Sequence, residues 1–162
     1  MQMRRKDRAV TDIQEIKAFL DEQKVARLGM NDDGQVYIVP LNYGYENPEG
    51  KKLVFYFHCG LLGRKLGVLE KNPNVCIEID GRHGLMNGET ACSHSYYYAS
   101  LIGNGKIEFV KDMDEKMHGL SVLMDAMTGK ADWEFTEKWM NAIHILKLEI
   151  EDYNVKQNKP VM

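Results

Sequence analysis

Residues 53–73 read as one strand, a glycine-bracketed turn and one short helix. There Leu53, Phe55 and Phe57 interleave with Val54, Tyr56 and His58, the period of a strand that is apolar on both faces. Past Gly60 and Gly63 the period lengthens. Leu66 and Leu69 stand three apart and Asn72-Pro73 stops the run, which predicts a short helix starting at Arg64. Upstream, Thr11 opens a helix with Ile13, Ile16, Phe19 and Leu20 as its apolar face and Gln14 completing a Thr-x-x-Gln capping box. Residues 24–30 and 35–43 read as a hairpin turning at Asn31-Asp32-Asp33-Gly34. Its second arm contains Pro40, which cannot donate to a ladder and so marks an edge position or an interruption. Asn47-Pro48-Glu49-Gly50 is a further turn.

Downstream, Val75, Ile77 and Ile79 alternate with Cys76, Glu78 and Asp80 as another strand, and residues 81–95, rich in Gly, Asn, Ser and His, read as a loop. Residues 96–110 form a long strand with a bulge expected at Gly103-Asn104-Gly105. Tyr96, Tyr98, Ser100 and Ile102 share one of its faces. Asp112 caps a helix striped by Met113, Met117, Leu120, Met124 and Met127 and closed at Gly129. A short helix carrying Trp139 follows Trp133 and Phe135. A last strand places Leu146, Leu148 and Ile150 on one face, and the tail from Asn154 is polar and expected to fray. Hairpins dominate and no strand–helix repeat appears. The order predicts a mainly β domain, an antiparallel barrel with peripheral helices.

Size and charge narrow the functions. The chain has 162 residues, 28% charged and 44% hydrophobic, enough for a single domain with its own core; the ordered part is expected over about 8–152. A net charge of −3 argues against a nucleic-acid partner, and Arg4-Arg5-Lys6-Arg8 reads as a solvated basic tail. No apolar run reaches the length of a membrane span and no signal-peptide core follows the N-terminus, so no membrane partner and a cytoplasmic location are expected. Cys59, Cys76 and Cys92 are odd in number and lack Cys-x-x-Cys spacing, which fits reduced thiols. His58-Cys59 and Cys92-Ser93-His94 lack a second ligand pair, so no metal site is expected.

The chemistry gathers around the turn at 60–63. Arg64 and Lys65 fall in a helix's first turn, where free backbone N–H groups already favour an anion. Two cations there oppose the helix dipole unless a negative partner offsets them, and a phosphate is the natural partner. The Pro40 segment adds unpaired backbone groups that can read the edge of a flat heterocycle.

Together, VPLNYGY, FYFHCGLLGRKL and YYYASLIGNGKIEFVKD resemble the flavin-binding split-barrel superfamily, in particular the pyridoxamine-phosphate-oxidase-like proteins related to nitroimidazole-resistance proteins. The resemblance spans roughly residues 3–152. It implies a six-stranded antiparallel split barrel, a homodimer, and FMN at the dimer interface. Carried onto this chain, His58, Arg64 and Lys65 lie at the phosphate end, the backbone of Val39, Pro40, Leu41 and Asn42 borders the isoalloxazine, and Tyr98 and Ser100 reach cofactor or substrate. Tyr153-Asn154-Val155-Lys156 stands where the family often carries Thr-Gly-Lys. The implied function is an FMN-dependent oxidoreductase passing electrons from NADH or NADPH to a small electron-poor acceptor, of which a nitroheterocycle is one example. The other reading is a non-catalytic flavin or haem binder, with His58, His83 or His94 as an axial ligand and His118 and His144 structural. Arg82 and His83 are the nearby groups that a second, substrate-borne phosphate would need.

Overall fold

The tight turn at Asp33-Gly34 sets the first register. Both residues have positive φ (51° and 92°), the geometry that matches the twist of a two-residue hairpin. The computed structural model, which describes residues 3–50 and 52–159, pairs β1 (Ala26–Asp32) with β2 (Gln35–Leu41) from Asp32 opposite Gln35 back to Ala26 opposite Leu41. Such a turn closes on a hydrogen-bonded pair, and bonded pairs then recur at every second position. Pro40, opposite Arg27, falls on a non-bonded pair, so its missing N–H costs the ladder nothing. β2 ends the strand order, which makes Pro40 an edge residue as its chemistry requires.

Among the described residues eight strands form one antiparallel sheet, where six were expected: β3 (Gly44–Glu46), β4 (Leu53–Gly60), β5 (Asn74–Met86), β6 (Ser95–Phe109), β7 (Ile143–Ile150) and β8 (Tyr153–Asn158) follow the hairpin. The order is β2-β1-β5-β6-β7-β4-β3, with β8 on β6. Two of the differences have clear causes. β5 continues to Met86, through residues whose Gly- and His-rich composition reads as a loop. β8 occupies the polar tail, because β7 covers only Lys106–Phe109 of β6 and leaves Tyr98–Gly103 to pair with Asn158–Tyr153. Val155 is buried within that strand.

The sheet splits at Gly103 and Gly105, and no bulge occurs there: Gly103 faces Ile77 and Gly105 faces Val75 in unbroken register. These positions need glycine because a Cβ would lie 2.6 Å from Ile150 Cδ1 at Gly103 and 2.5 Å from the Glu149 carbonyl oxygen at Gly105. The bulge lies instead in β5, between Gly81 and Gly84.

Among the described residues four α-helices surround the sheet: α1 (Ile13–Glu22), α2 (Arg64–Lys71), α3 (Met113–Thr128) and α4 (Glu137–Met140). Asp12, not Thr11, caps α1, its carboxylate accepting from the Gln14 N–H at 2.7 Å; a charged acceptor answers the helix dipole better than a hydroxyl. α3 is capped by Asp112, which accepts from the Glu115 N–H at 2.9 Å, and ends at Gly129 with φ 72°. It buries Lys116, Gly119 and Leu123, while Met124 is half-buried and Met127 exposed. The main core joins α1, α2 and the inner faces of the strands through Phe19, Leu28, Phe55, Phe57, Ile77 and Leu148.

Candidate functional site

The turn from β4 into α2 bares backbone. Gly63 holds φ 146° and ψ 156°, and no side chain caps the helix. A Cβ added at Gly60 or Gly63 would meet nothing within 4 Å, so a ligand can approach the first N–H groups of α2 closely. Arg64 and Lys65 diverge from there. The Arg64 guanidinium donates from Nε to Asp32 Oδ2 at 2.9 Å and from Nη2 to Gln35 Oε1 at 3.3 Å, and lies 4.2 Å above the Tyr37 ring. Its charge is answered inside the fold. Lys65 is half-buried and has no hydrogen-bond or ion-pair partner among the described residues. It exerts a downward pull on the Cys59 thiol, although burial of that thiol, the larger effect, leaves its pKa raised.

The same helix start abuts the beginning of β2, since Arg64 reaches Gln35 and Tyr37. The other end of β2 carries the segment expected to border a flat ring. Val39 and Leu41 turn partly into the core, Pro40 faces outward, and Asn42 donates from Nδ2 to the Lys24 carbonyl at 2.8 Å. From Tyr37 to Leu41 the strand runs about 13 Å. The uncapped start of α2 therefore meets the edge strand β2 near Gln35 and Tyr37.

Other expected residues are held elsewhere. His58 ends up exposed on β4, opposite Ile145, and its ring has no partner among the described residues. Tyr98 and Ser100 sit on β6, separated from β2 by β5 and β1, roughly 14 Å at ordinary strand spacing. Tyr98 accepts a hydrogen bond from Arg8 Nη1 at 3.3 Å. One protomer thus brings the start of α2 to β2 through Arg64 but keeps Tyr98 and Ser100 apart from that strand.

Around Ser100 the outer sheet face carries a charged network that residue spacing does not reveal. Asp80, opposite Ser100, accepts from Arg27 Nη1, and His83 Nε2 lies 2.8 Å from its Oδ2. Arg27 also donates to Glu78 at 3.0 Å. Arg82, in contrast, turns away: its fork grips Glu22 of α1 at 2.6 and 2.8 Å and reaches Gln157 at 3.3 Å. The pairing of Arg82 with His83 as a substrate-phosphate site is therefore not built. His94 Nδ1 lies 3.0 Å from the Thr90 carbonyl, and His118 Nε2 lies 3.1 Å from Glu46. Among the described residues no group of three or more potential ligands could hold a metal ion, and no helix is long and apolar enough to cross a membrane.

The model of the pyridoxamine 5′-phosphate oxidase family matches residues 12–157. The solved structure of a candidate 5-nitroimidazole antibiotic resistance protein from Bacteroides thetaiotaomicron is 31% identical, with 92% of this chain and 86% of that one covered at a TM-score of 0.78. The flavocytochrome Anf3 from Azotobacter vinelandii (22% identity, 98% and 73% covered, TM-score 0.80) and an FAD- and haem-binding protein from Mycobacterium smegmatis (22%, 94% and 74%, TM-score 0.80) share the fold. No curated protein matches the chain.

Proposed function

Because this chain belongs to the pyridoxamine 5′-phosphate oxidase family, we propose that it is a flavin-dependent oxidoreductase that uses FMN to pass electrons from reduced nicotinamide to a small electron-poor acceptor, nitroheterocycles included. The observation that carries this reading is Lys65, a half-buried cation with no partner among the described residues, at the open N-terminus of α2, a helix start that Arg64 ties to the edge strand β2. The donor set fits a phosphorylated flavin. Lys65 and the first N–H groups of α2 would take the phosphate, and the backbone of Val39, Pro40, Leu41 and Asn42 would border the ring. His58 would stand by at the strand end before the turn. When bound, the flavin supplies the redox chemistry, and the chain supplies anchoring, a flat slot and electrostatics.

The likeness to the Bacteroides thetaiotaomicron protein supports the nitroheterocycle class. The separation of Tyr98 and Ser100 from β2 within one protomer supports a site completed by a second copy, with flavin at the interface of a homodimer. A second reading, a flavin or haem binder without turnover, is favoured by the unbonded His58 imidazole, and the absorption spectrum of the protein as purified separates haem from flavin.

The test is titration of flavin-free protein with FMN, FAD and riboflavin. FMN should bind tightest, and Lys65→Ala should weaken FMN by about 1.5–3 kcal/mol, the worth of a charge-assisted contact, with riboflavin nearly unaffected. Equal affinity of the parent for FMN and riboflavin would remove the phosphate site.

A further inference from the structure

The bulge in β5 does something a regular strand cannot. Residues three apart on a strand point to opposite faces, so Asp80 and His83 would be separated by the sheet. Gly81 pairs with Ala99 and Gly84 with Tyr97, three residues of advance on β5 against two on β6, and the one inserted residue returns His83 to the outer face beside Asp80. The insertion is held under strain: Arg82 has φ 55°, a region costly for a side chain with a Cβ, and its guanidinium is clamped on Glu22 and Gln157.

What the bulge presents is an imidazole with one nitrogen engaged and one free. Nε2 lies 2.8 Å from Asp80 Oδ2, and Nδ1 has no partner among the described residues. Asp80 is itself fixed by Arg27, which shares its guanidinium with Glu78. Tyr96 packs against the ring at 5.8 Å between centroids, and Leu85, directly opposite Tyr96, is exposed with it. That pair forms an apolar ledge on which a flat molecule can lie. Lys156 of β8, opposite Ser100, completes the charged surroundings. Tyr98 and Ser100 share this face, so the imidazole stands beside residues expected to reach cofactor or substrate.

We propose that His83 is the proton donor to the acceptor, with Asp80 and Arg27 as its positioning residues. The inference rests on the flavin-dependent reading above. For a nitroheterocycle, the nitro group takes one hydride equivalent from the reduced flavin and one proton from the His83 imidazolium. The N,N-dihydroxy product loses water to give the nitroso compound. The flavin is left oxidised and the imidazole neutral, to be reprotonated from solvent.

Two measurements test it. In flavin-free protein, imidazole ¹⁵N shifts should show the neutral His83 ring carrying its proton on Nε2, where Asp80 accepts it; a proton on Nδ1 overturns the geometry. In flavin-loaded protein reduced by light, anaerobic mixing with a 5-nitroimidazole should reoxidise His83→Gln about tenfold more slowly than the parent and without its pH dependence across neutrality. Reoxidation by ferricyanide, which needs no proton, should be unchanged. Asp80→Asn should resemble His83→Gln, and Asp80→Glu should recover part of the rate. Equal nitroimidazole rates and pH profiles in parent and His83→Gln, or a parent that the nitroimidazole does not reoxidise, overturn the proposal while leaving flavin binding intact. A parent that holds no flavin removes the proposed function as well.

Discussion

Adjacent residues of one type can have different work, and Arg64 and Lys65 are such a pair. The planar fork of Arg64 matches a carboxylate and stacks on an aromatic ring, and Asp32 and Tyr37 supply both. Its place in the first turn of α2 therefore does not leave it waiting for a ligand; it ties the helix start to the β1–β2 hairpin. Lys65 has no such engagement. Arg64→Ala should accordingly lower stability by about 0.5–1 kcal/mol, as an exposed ion pair with a ring contact warrants. It should weaken FMN binding less than Lys65→Ala does. Denaturant midpoints and flavin titrations on the two variants check this, and a larger loss of FMN affinity in Arg64→Ala would reverse the assignment.

At the level of elements, period-two alternation locates β4, the first half of β5, β6 and β7, because each buries one face or both. It stops being informative where a strand is polar or where burial is achieved by small residues. β8 is polar on its outward face and is recruited only because part of β6 has a free edge. α3 shows the second case: Met113, Met117 and Leu120 of its apolar stripe pack against the core, but the close approach to β4 is at Gly119, where a Cβ would lie 2.6 Å from Tyr56 Cδ1. Gly44 of β3 likewise leaves no room, since a Cβ there would fall 2.5 Å from the Val122 carbonyl oxygen and 2.6 Å from Leu123 Cα. Both neighbours are helix backbone and cannot turn aside, so Gly44→Ala should cost about 1–3 kcal/mol by overpacking, read as a lowered urea midpoint. The candidate site divides the same way. The helix-start cations and the Pro40 edge were legible from residue type, but Arg64's engagement with Asp32, 32 residues away in sequence, and the bulge that joins Asp80 to His83 depend on register. The clamp on that bulge has a pH signature. The Arg82 hydrogen bond holds the Glu22 carboxyl below its ordinary value of 4.5. A depressed folded-state pKa gives stability that is present above the ordinary value and lost as acid titrates the folded carboxylate. Glu22 is half-exposed, so Glu22→Gln should cost about 0.5–1 kcal/mol near neutrality. The gap should shrink towards about pH 3, and a gap that persists there would show that the ion pair is not its source.

For the whole molecule, the outer face of β2, β1, β5 and β6 combines features that a lone protomer does not explain. Val36 and Ile38 are exposed at 76% and 58% on the edge strand, and Ile102 is exposed on β6 of the same face. An edge strand with outward β-branched residues is an open template for association, which monomeric proteins ordinarily blunt with charge. The outward residues beside them are Gly29 and Cys76, opposite one another across β1 and β5, small enough to admit a partner's side chains. A homodimer using this face would cover the apolar edge and could bring one copy's Tyr98 and Ser100 towards the other's Lys65 and β2. Ile38 is the residue to change, because it points away from the core and its removal leaves the protomer's packing untouched. Ile38→Glu should convert a dimer into a folded monomer by light scattering, with unchanged far-ultraviolet dichroism, and should release FMN in the same step. Loss of the dimer with flavin retained at full stoichiometry would place the cofactor within one protomer. A parent that is monomeric yet fully loaded with flavin would remove the shared site altogether.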